Sequence, residues 1–392
     1  MLVLLKVSIA IIILILLLTV AVIKFNKKIL PGLILLPSIA LISYYLWHVA
    51  GMAWSSNLEY GYKDLEMKLS FLVFPIIFSA FEITPAIRKK TLTFFATGCI
   101  LTCSYLLSLA INKFETDGDI NNYFYVGLSP DIHPAYISMY VIISIIICLG
   151  FINPMKKIAL NIFLLAIVLF LMIFLIMLTA RMAIISGIFI GSIFIYLHLA
   201  TFSFIKKISF ALLFIVAASS LFYISNSYYN RMSQISEVVT EIENDNKVSP
   251  SAIVYNSSSS RPELWKETLH VIKSNLLIGT GTGDIKDELR KEFIKNNFKY
   301  AIERNLNPHN QYLHTTTGLG IIGLLLLLLC FGSQLVQAIR LKDWLYLSFI
   351  LVFAINALTE SNIEVEKGII LFCFLSMFFN ACIKRKELNT SS

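Results

Sequence analysis

Charge is scarce in this chain. Of 392 residues only 14% are Asp, Glu, Lys or Arg, while 57% are hydrophobic. Soluble domains carry about a quarter charged residues, so a water-soluble globular fold is excluded. Cysteine is also sparse and badly placed for chemistry. Cys99, Cys103, Cys148, Cys330, Cys373 and Cys382 all fall inside long apolar runs. That excludes a disulfide framework in the polar loops and any zinc-ligand spacing. The sulfurs read as small apolar packing groups. The glycine-spaced turn at Gly279 to Gly283 has no Gly-Lys-Ser/Thr ending and no βαβ context, so it is not a nucleotide-phosphate loop. Internal repeats and long low-complexity tracts are missing. The first apolar run, Leu2 to Ile23, has no Ala-x-Ala-like site after it and is too long for a cleaved signal peptide.

What the sequence has instead is apolar runs of membrane-crossing length. A span needs about 20 such residues. Eleven stretches qualify: 2–23, 29–51, 69–87, 91–112, 132–153, 158–179, 182–205, 208–225, 312–339, 344–359 and 368–383. The expected fold is therefore an all-α integral membrane protein. Its divisions are transmembrane helices over 1–225, one large outer loop over 226–311, further transmembrane helices over 312–383, and a tail over 384–392. Basic residues alternate across the spans. Lys24/Lys27/Lys28, Arg88/Lys89/Lys90, Lys156/Lys157, Lys206/Lys207, Arg340/Lys342 and Lys384/Arg385/Lys386 fall on one side. The opposite short segments hold Lys63, Lys68, Lys113, Arg181 and Lys367 among ten acidic residues. Lys and Arg accumulate in cytoplasmic loops, so the tail is expected inside and the large loop outside. The net charge of +8 thus reports orientation rather than an acidic partner.

The outer loop is compositionally distinct. Residues 226–313 hold 22 of the 56 charged residues. Ser260-x-x-Glu263 reads as a capping box with Pro262 in the first turn. It predicts a helix to about Ser274, with Trp265, Leu269 and Ile272 on one face. A second, charged helix is expected over about 284–298. A smaller outer loop lies at 113–131.

Three runs in this region carry a resemblance. They are Arg261-Pro262-Glu263-Leu264-Trp265, the turn Gly279-Thr280-Gly281-Thr282-Gly283, and Asn307-Pro308-His309-Asn310-Gln311-Tyr312-Leu313 ahead of Gly318-Leu319-Gly320. In that order, in the large outer loop of a many-helix membrane protein, they resemble the O-antigen ligase and polymerase superfamily of bacterial membrane glycosyltransferases. The resemblance covers the second half of the chain by motif and the rest by layout. It implies a C-type glycosyltransferase-like architecture with a periplasmic loop, and commonly twelve spans. Eleven are counted here, which leaves the side of the amino terminus open.

Three residues stand out as candidates for chemistry. Arg181 is the only fixed charge between Ile158 and Ile205, at the turn between two expected spans. It reads either as an interfacial arginine reaching for headgroups or as a phosphate-binding guanidinium at the mouth of the bundle. Arg261 stands at a helix start, where backbone N–H groups also attract anions. His309 can accept a proton from a hydroxyl near neutral pH. The resemblance assigns Arg181 and Arg261 to the diphosphate of the donor and His309 to catalysis. Asn310 and Tyr312 stand as supporting residues. His133 stands at the outer end of a span, either lining the cavity or packed structurally. His314, five residues past His309, points about 140° away on a helix, so the two are not a metal-binding pair.

The activity so implied is transfer of a glycan from an undecaprenyl-diphosphate carrier to a lipid A-core hydroxyl, at the periplasmic face of the bacterial inner membrane. The transfer would be inverting, with no cofactor and no metal. A surface polysaccharide polymerase of the same superfamily is the alternative, using another lipid-linked glycan as acceptor. A protein-glycosylating ligase and a lipid-linked glycan transporter stand further back. A transporter would be expected to show repeats and broken helices at the midplane.

Overall fold

The computed structural model describes residues 7–24, 33, 35–152, 158–179, 185–188, 191 and 260–382. Every regular element among them is helical. The expected spans 182–205 and 208–225 lie almost wholly outside the described residues, as do residues 226–259 and the tail. By contacts the chain divides into two units, 1–94 with 257–392, and 95–256.

The first unit contains α1 (Val7–Ile23), α2 (Leu36–Gly51), α3 (Leu58–Lys68) and α4 (Ser70–Ser79). The division falls within α5 (Pro85–Asp117). The second unit contains α6 (Tyr125–Leu128), α7 (Pro134–Phe151) and α8 (Ile158–Met177). The first unit resumes with α9 (Arg261–Ser274), α10 (Ile285–Lys295), α11 (Lys299–Arg304), α12 (Gln311–Arg340), α13 (Trp344–Asn356) and α14 (Glu366–Ala381). Among the described residues, five stretches are long and apolar enough to cross a membrane: Leu36–Trp54, Pro85–Asp117, Pro134–Phe151, Ile158–Met177 and Gln311–Arg340. The chain is an all-α, multi-pass membrane protein.

One expected span is corrected. The run 69–87 is no single helix, because α4 has ten residues, about half of what a crossing requires. Pro75 lies inside it and cannot donate the helical N–H. Pro85 then opens α5, and a residue before proline disfavours helix. The expected 91–112 helix is longer, 33 residues. It therefore takes in Arg88, Lys89 and Lys90.

Each spanning helix sorts its side chains by face. On α2, Leu36, Ile39, Leu46 and Val49 are exposed, while Ala40, Leu41, Tyr44, Tyr45 and His48 are buried. On α12, Ile322, Leu325, Leu328, Leu329, Val336 and Ile339 face outward. Those stripes suit lipid contact. Between them α2, α4, α12, α13 and α14 enclose an aromatic core. Phe372 lies 5.2 Å from Phe353 and 5.3 Å from Phe331, ring centre to ring centre. Phe71 joins it at 6.1 Å. Below this core, Arg88 donates to both oxygens of Asp343 at 2.6 and 2.8 Å, tying the start of α5 to the N-cap of α13.

The outer-loop helix α9 runs to Ser274 as expected, but its start differs. Ser260 has helical backbone angles and makes no capping bond. A capping hydroxyl needs an extended residue to reach back to the first turn. Glu263 pairs with Lys266 at 3.1 Å instead. The buried face is also different from the expected one. Leu264, Glu267, Thr268, Val271 and Ile272 are buried, whereas Leu269 is exposed. The charged second helix stops at Lys295 and is followed by α11. Ile285, Leu289 and Phe293 form its buried stripe.

Candidate functional site

The three runs singled out in the sequence meet in the first unit. The indole N–H of Trp265 donates to the Pro308 carbonyl at 2.9 Å. This fixes the start of α9 against the Asn-Pro-His-Asn segment. The glycine turn pairs with α12: Thr280 N–H donates to Thr317 O and Gly281 N–H to Gly318 O, both at 2.9 Å.

The Asn-Pro-His-Asn segment is set by short side-chain bonds. Asn307 Oδ1 accepts from His309 N–H at 2.8 Å. This local turn holds His309 at φ 45°, a region unusual for a side-chain-bearing residue and found at constrained functional positions. Asn310 caps α12 by accepting from Leu313 N–H at 3.0 Å. Its amide donates to Leu358 O at 2.9 Å. The Tyr312 hydroxyl donates to Ala354 O at 2.9 Å. Both side chains thus spend their bonds on architecture around His309.

Glu360 is the group that sequence reasoning missed. One of its oxygens, Oε1, accepts from Arg261 Nη2 at 2.6 Å. The other, Oε2, lies 3.2 Å from His309 Nδ1. One carboxylate therefore joins the two residues expected to do chemistry. Donation from Nδ1–H to Glu360 fixes the tautomer whose Nε2 carries the lone pair. Glu360 sits in the segment between α13 and α14. That segment is anchored by Gln311, whose N–H donates to Ala357 O and whose Oε1 accepts from Ile363 N–H.

Around this junction are buried polar atoms with no hydrogen-bond partner among the described residues. They include Arg261 Nε and Ser260 Oγ at the start of α9, and Thr359 Oγ1 and Ser361 Oγ on either side of Glu360 in the chain. Buried donors are normally satisfied. Unspent donors beside a helix N-terminus suit an oxygen-rich anion.

A second charged cluster lies on the same segment. Lys68 Nζ is 2.6 Å from Asp64 Oδ1 and 2.6 Å from Glu364 Oε2, with its side chain only 1% exposed. Gln311 donates to Glu364 Oε1 at 2.6 Å. Burial pushes Asp64 up to about 6 despite the pull of Lys68. Burial would raise Glu364 too, but Lys68 and then His314 outweigh it and hold it below the usual carboxylate range. The signal in the sequence is faint: Glu360 and Glu364 stand four apart in a short outer segment.

Arg181 lies outside the described residues. His133 belongs to the other unit, where it caps α7 by accepting from Ala135 N–H at 3.4 Å. Its other nitrogen lies 3.4 Å from the Tyr125 hydroxyl. Among the described residues one grouping could hold a metal: Glu267, His270 and Glu292 converge to within 4.8 Å. The cluster was illegible because two of its groups sit on α9 and one on α10. Lys295 also pairs with Glu292 at 3.0 Å, and Asn296 donates to both carboxylates.

Residues 165–328 match the family model described as O-antigen ligase. That range holds Arg181, Arg261 and His309 and stops short of Glu360. No curated protein matches the chain. Proteins of this family are membrane glycosyltransferase-like enzymes, a class to which a histidine, an arginine and a shared carboxylate in a loop beside membrane helices are well suited. The match at residues 165–328, less than half of the chain, supports the O-antigen ligase and polymerase superfamily.

Proposed function

We propose that this chain is an O-antigen ligase-type glycosyltransferase. It takes a glycan from an undecaprenyl-diphosphate carrier and delivers it to a lipid A-core hydroxyl at the periplasmic face of the inner membrane. The observation that carries this reading is Glu360, bonded at once to Arg261 and near His309.

In this scheme His309 Nε2 takes the proton of the acceptor hydroxyl as its oxygen attacks the anomeric carbon. The bond from that carbon to the diphosphate oxygen breaks on the opposite side, and the diphosphate leaves with the electron pair. Attack from that side inverts the anomeric centre. Glu360 acts as a positioning residue that stabilises the imidazolium as it forms. Arg261 and the unspent donors at the start of α9 neutralise the charge growing on the leaving group. Arg181 is proposed as the second arginine on that diphosphate. Holding both lipid-borne substrates in one site supplies much of the remaining rate. The scheme asks for no metal and no cofactor.

The test is deletion of the gene in its host, with gels of surface glycolipid and of lipid-linked intermediates. Full-length glycan stranded on the carrier, with none on lipid A core, supports the ligase. Lipid A core capped by a single repeat unit would mean a polymerase. An unchanged pattern rejects both.

A further inference from the structure

The glycine turn is the one motif the proposed chemistry leaves unused, and its surroundings give it a task. The segment 275–283 leaves α9, runs along α12 and returns to α10. Its backbone is irregular, and several of its polar groups are satisfied by neighbours. Leu276 O accepts from Ile321 N–H at 2.8 Å, and Thr280 and Gly281 donate to Thr317 and Gly318. The Thr282 hydroxyl donates to His48 O at 2.6 Å, and Gly283 N–H to Ser55 Oγ at 3.0 Å. The α12 backbone breaks at Gly320, φ 65°, and the freed Leu319 carbonyl accepts from the Trp47 indole at 3.0 Å. Non-helical backbone at membrane depth is tolerated where protein satisfies it, and the bonds of Leu276, Thr280, Gly281 and Leu319 do so for these groups.

The depth follows from α12 itself. It has 30 residues, whereas a hydrocarbon core needs about 20. Its polar end is Gln311 to Thr317, and its other end is Arg340. Twenty residues counted back from Arg340 reach Ile321, the residue bonded to Leu276. The segment before the turn is Leu276-Leu277-Ile278, and all three side chains are exposed, Leu277 by 69%. They continue the outward stripe of α12 that begins at Ile322 and Leu325. Three adjacent exposed aliphatic side chains in an otherwise highly charged loop need a nonpolar partner.

We propose that segment 275–283 is a membrane-dipping strap, and that Leu276, Leu277 and Ile278 sit among lipid acyl chains at the hydrocarbon boundary of the leaflet on the loop's side. The strap thereby moors α9, and with it Arg261, at a fixed height above the lipid. This placement does not depend on the identity of donor or acceptor.

The test is depth measurement on the full chain, with the six native cysteines replaced by alanine. Leu277→Cys and Lys291→Cys, the latter on the exposed face of α10, carry a nitroxide label in nanodiscs of phosphatidylethanolamine and phosphatidylglycerol. At Leu277 the ratio of oxygen to nickel-chelate collision is expected to be several-fold above that at Lys291. Equal ratios would place the strap in water and overturn the proposal. Protection from both reagents would mean protein cover, such as a second copy, and would overturn it too. Should the cysteine-free chain fail to fold, Leu277→Trp in the native background gives the same readout. Quenching by bromolipid beyond that of the parent supports the strap, and no excess quenching overturns it.

Discussion

The Nδ1 of His309 lies 3.2 Å from a carboxylate oxygen of Glu360, and the other oxygen of that carboxylate holds Arg261 at 2.6 Å. In the proposed scheme, the base and the anion-binding cation share this one carboxylate and are positioned by the same group. Neither can be set without the other.

Glu360→Gln keeps the shape and removes the charge. It no longer selects the Nδ1–H tautomer of His309, and it no longer stabilises the imidazolium. General-base assistance contributes about 10²–10⁴-fold, so kcat should fall within that range while the donor KM moves little. His309→Ala should abolish transfer with normal protein levels in the membrane. An in vitro transfer assay across pH decides the matter. A Glu360→Gln variant with unchanged kcat and an unchanged pH profile would remove Glu360 from the mechanism.

Arg261→Lys tests the anion site. Lysine keeps the charge but loses the planar fork that can serve Glu360 and a phosphate together. A hydrogen bond to a charged group is worth about 1.5–3 kcal/mol, so donor affinity should weaken roughly tenfold to a hundredfold. Titration with a short-chain polyprenyl-diphosphate donor reads this directly. Unchanged donor affinity would confine Arg261 to holding Glu360.

Much of this architecture was legible in the sequence, and what was not has physical reasons. The ends of α7, α8 and α12 follow from apolar runs bounded by proline or charge. Arg261 and His309 stood out because each sits in a run that carries the family resemblance. Glu360 was not, since its role depends on residues 99 and 51 positions away and its own segment has no pattern. The capping box failed because a hydroxyl's reach depends on the backbone angles of Ser260, which its spacing to Glu263 does not fix. The buried face of α9 was misjudged for a related reason. Trp265, Leu269 and Ile272 share one face by spacing, but the Trp265 indole turns to Pro308, Leu269 is exposed and Leu264 is buried.

Asp64 and Glu364 face a single ammonium, Lys68, inside the protein. Burial raises Asp64 from 3.8 to about 6. A raised folded-state value means that the folded form holds this proton more tightly, so that contribution is present at low pH and lost as pH rises through about 6. Glu364, held low by Lys68, works the other way: its contribution is present above its ordinary 4.5 and lost only in strong acid. Asp64→Asn removes the first effect and leaves a matched Lys68–Glu364 pair. It should stabilise the protein by about 1–2 kcal/mol at pH 7.5, with the gain gone near pH 4.5. Lys68→Met strands two carboxylates and should cost about 3–5 kcal/mol. Thermal unfolding in detergent at the two pH values checks both. A lower Tm for Asp64→Asn at pH 7.5 would show that both carboxylates are needed.

Two glycines twelve residues apart on α12 should respond oppositely to the same substitution. Gly320 has φ 65°, and a Cβ there would lie 2.2 Å from the Leu277 carbonyl oxygen and 2.5 Å from the Ile278 nitrogen. Both obstacles are backbone, so neither can swing aside. Gly320→Ala must therefore push the strap off α12 or straighten the helix and break the Leu276–Ile321 bond, and a cost above about 3 kcal/mol is expected. Gly332 lies in regular helix with nothing within 4 Å of its would-be Cβ. Alanine there relieves the conformational freedom of the unfolded chain and should stabilise by about 0.5–1 kcal/mol. The paired measurement is the Tm of each variant in the same detergent, with transfer activity alongside. Gly332→Ala should keep activity, and Gly320→Ala should lose it together with stability. Equal tolerance at both positions would mean that the strap and the break in α12 do not depend on each other.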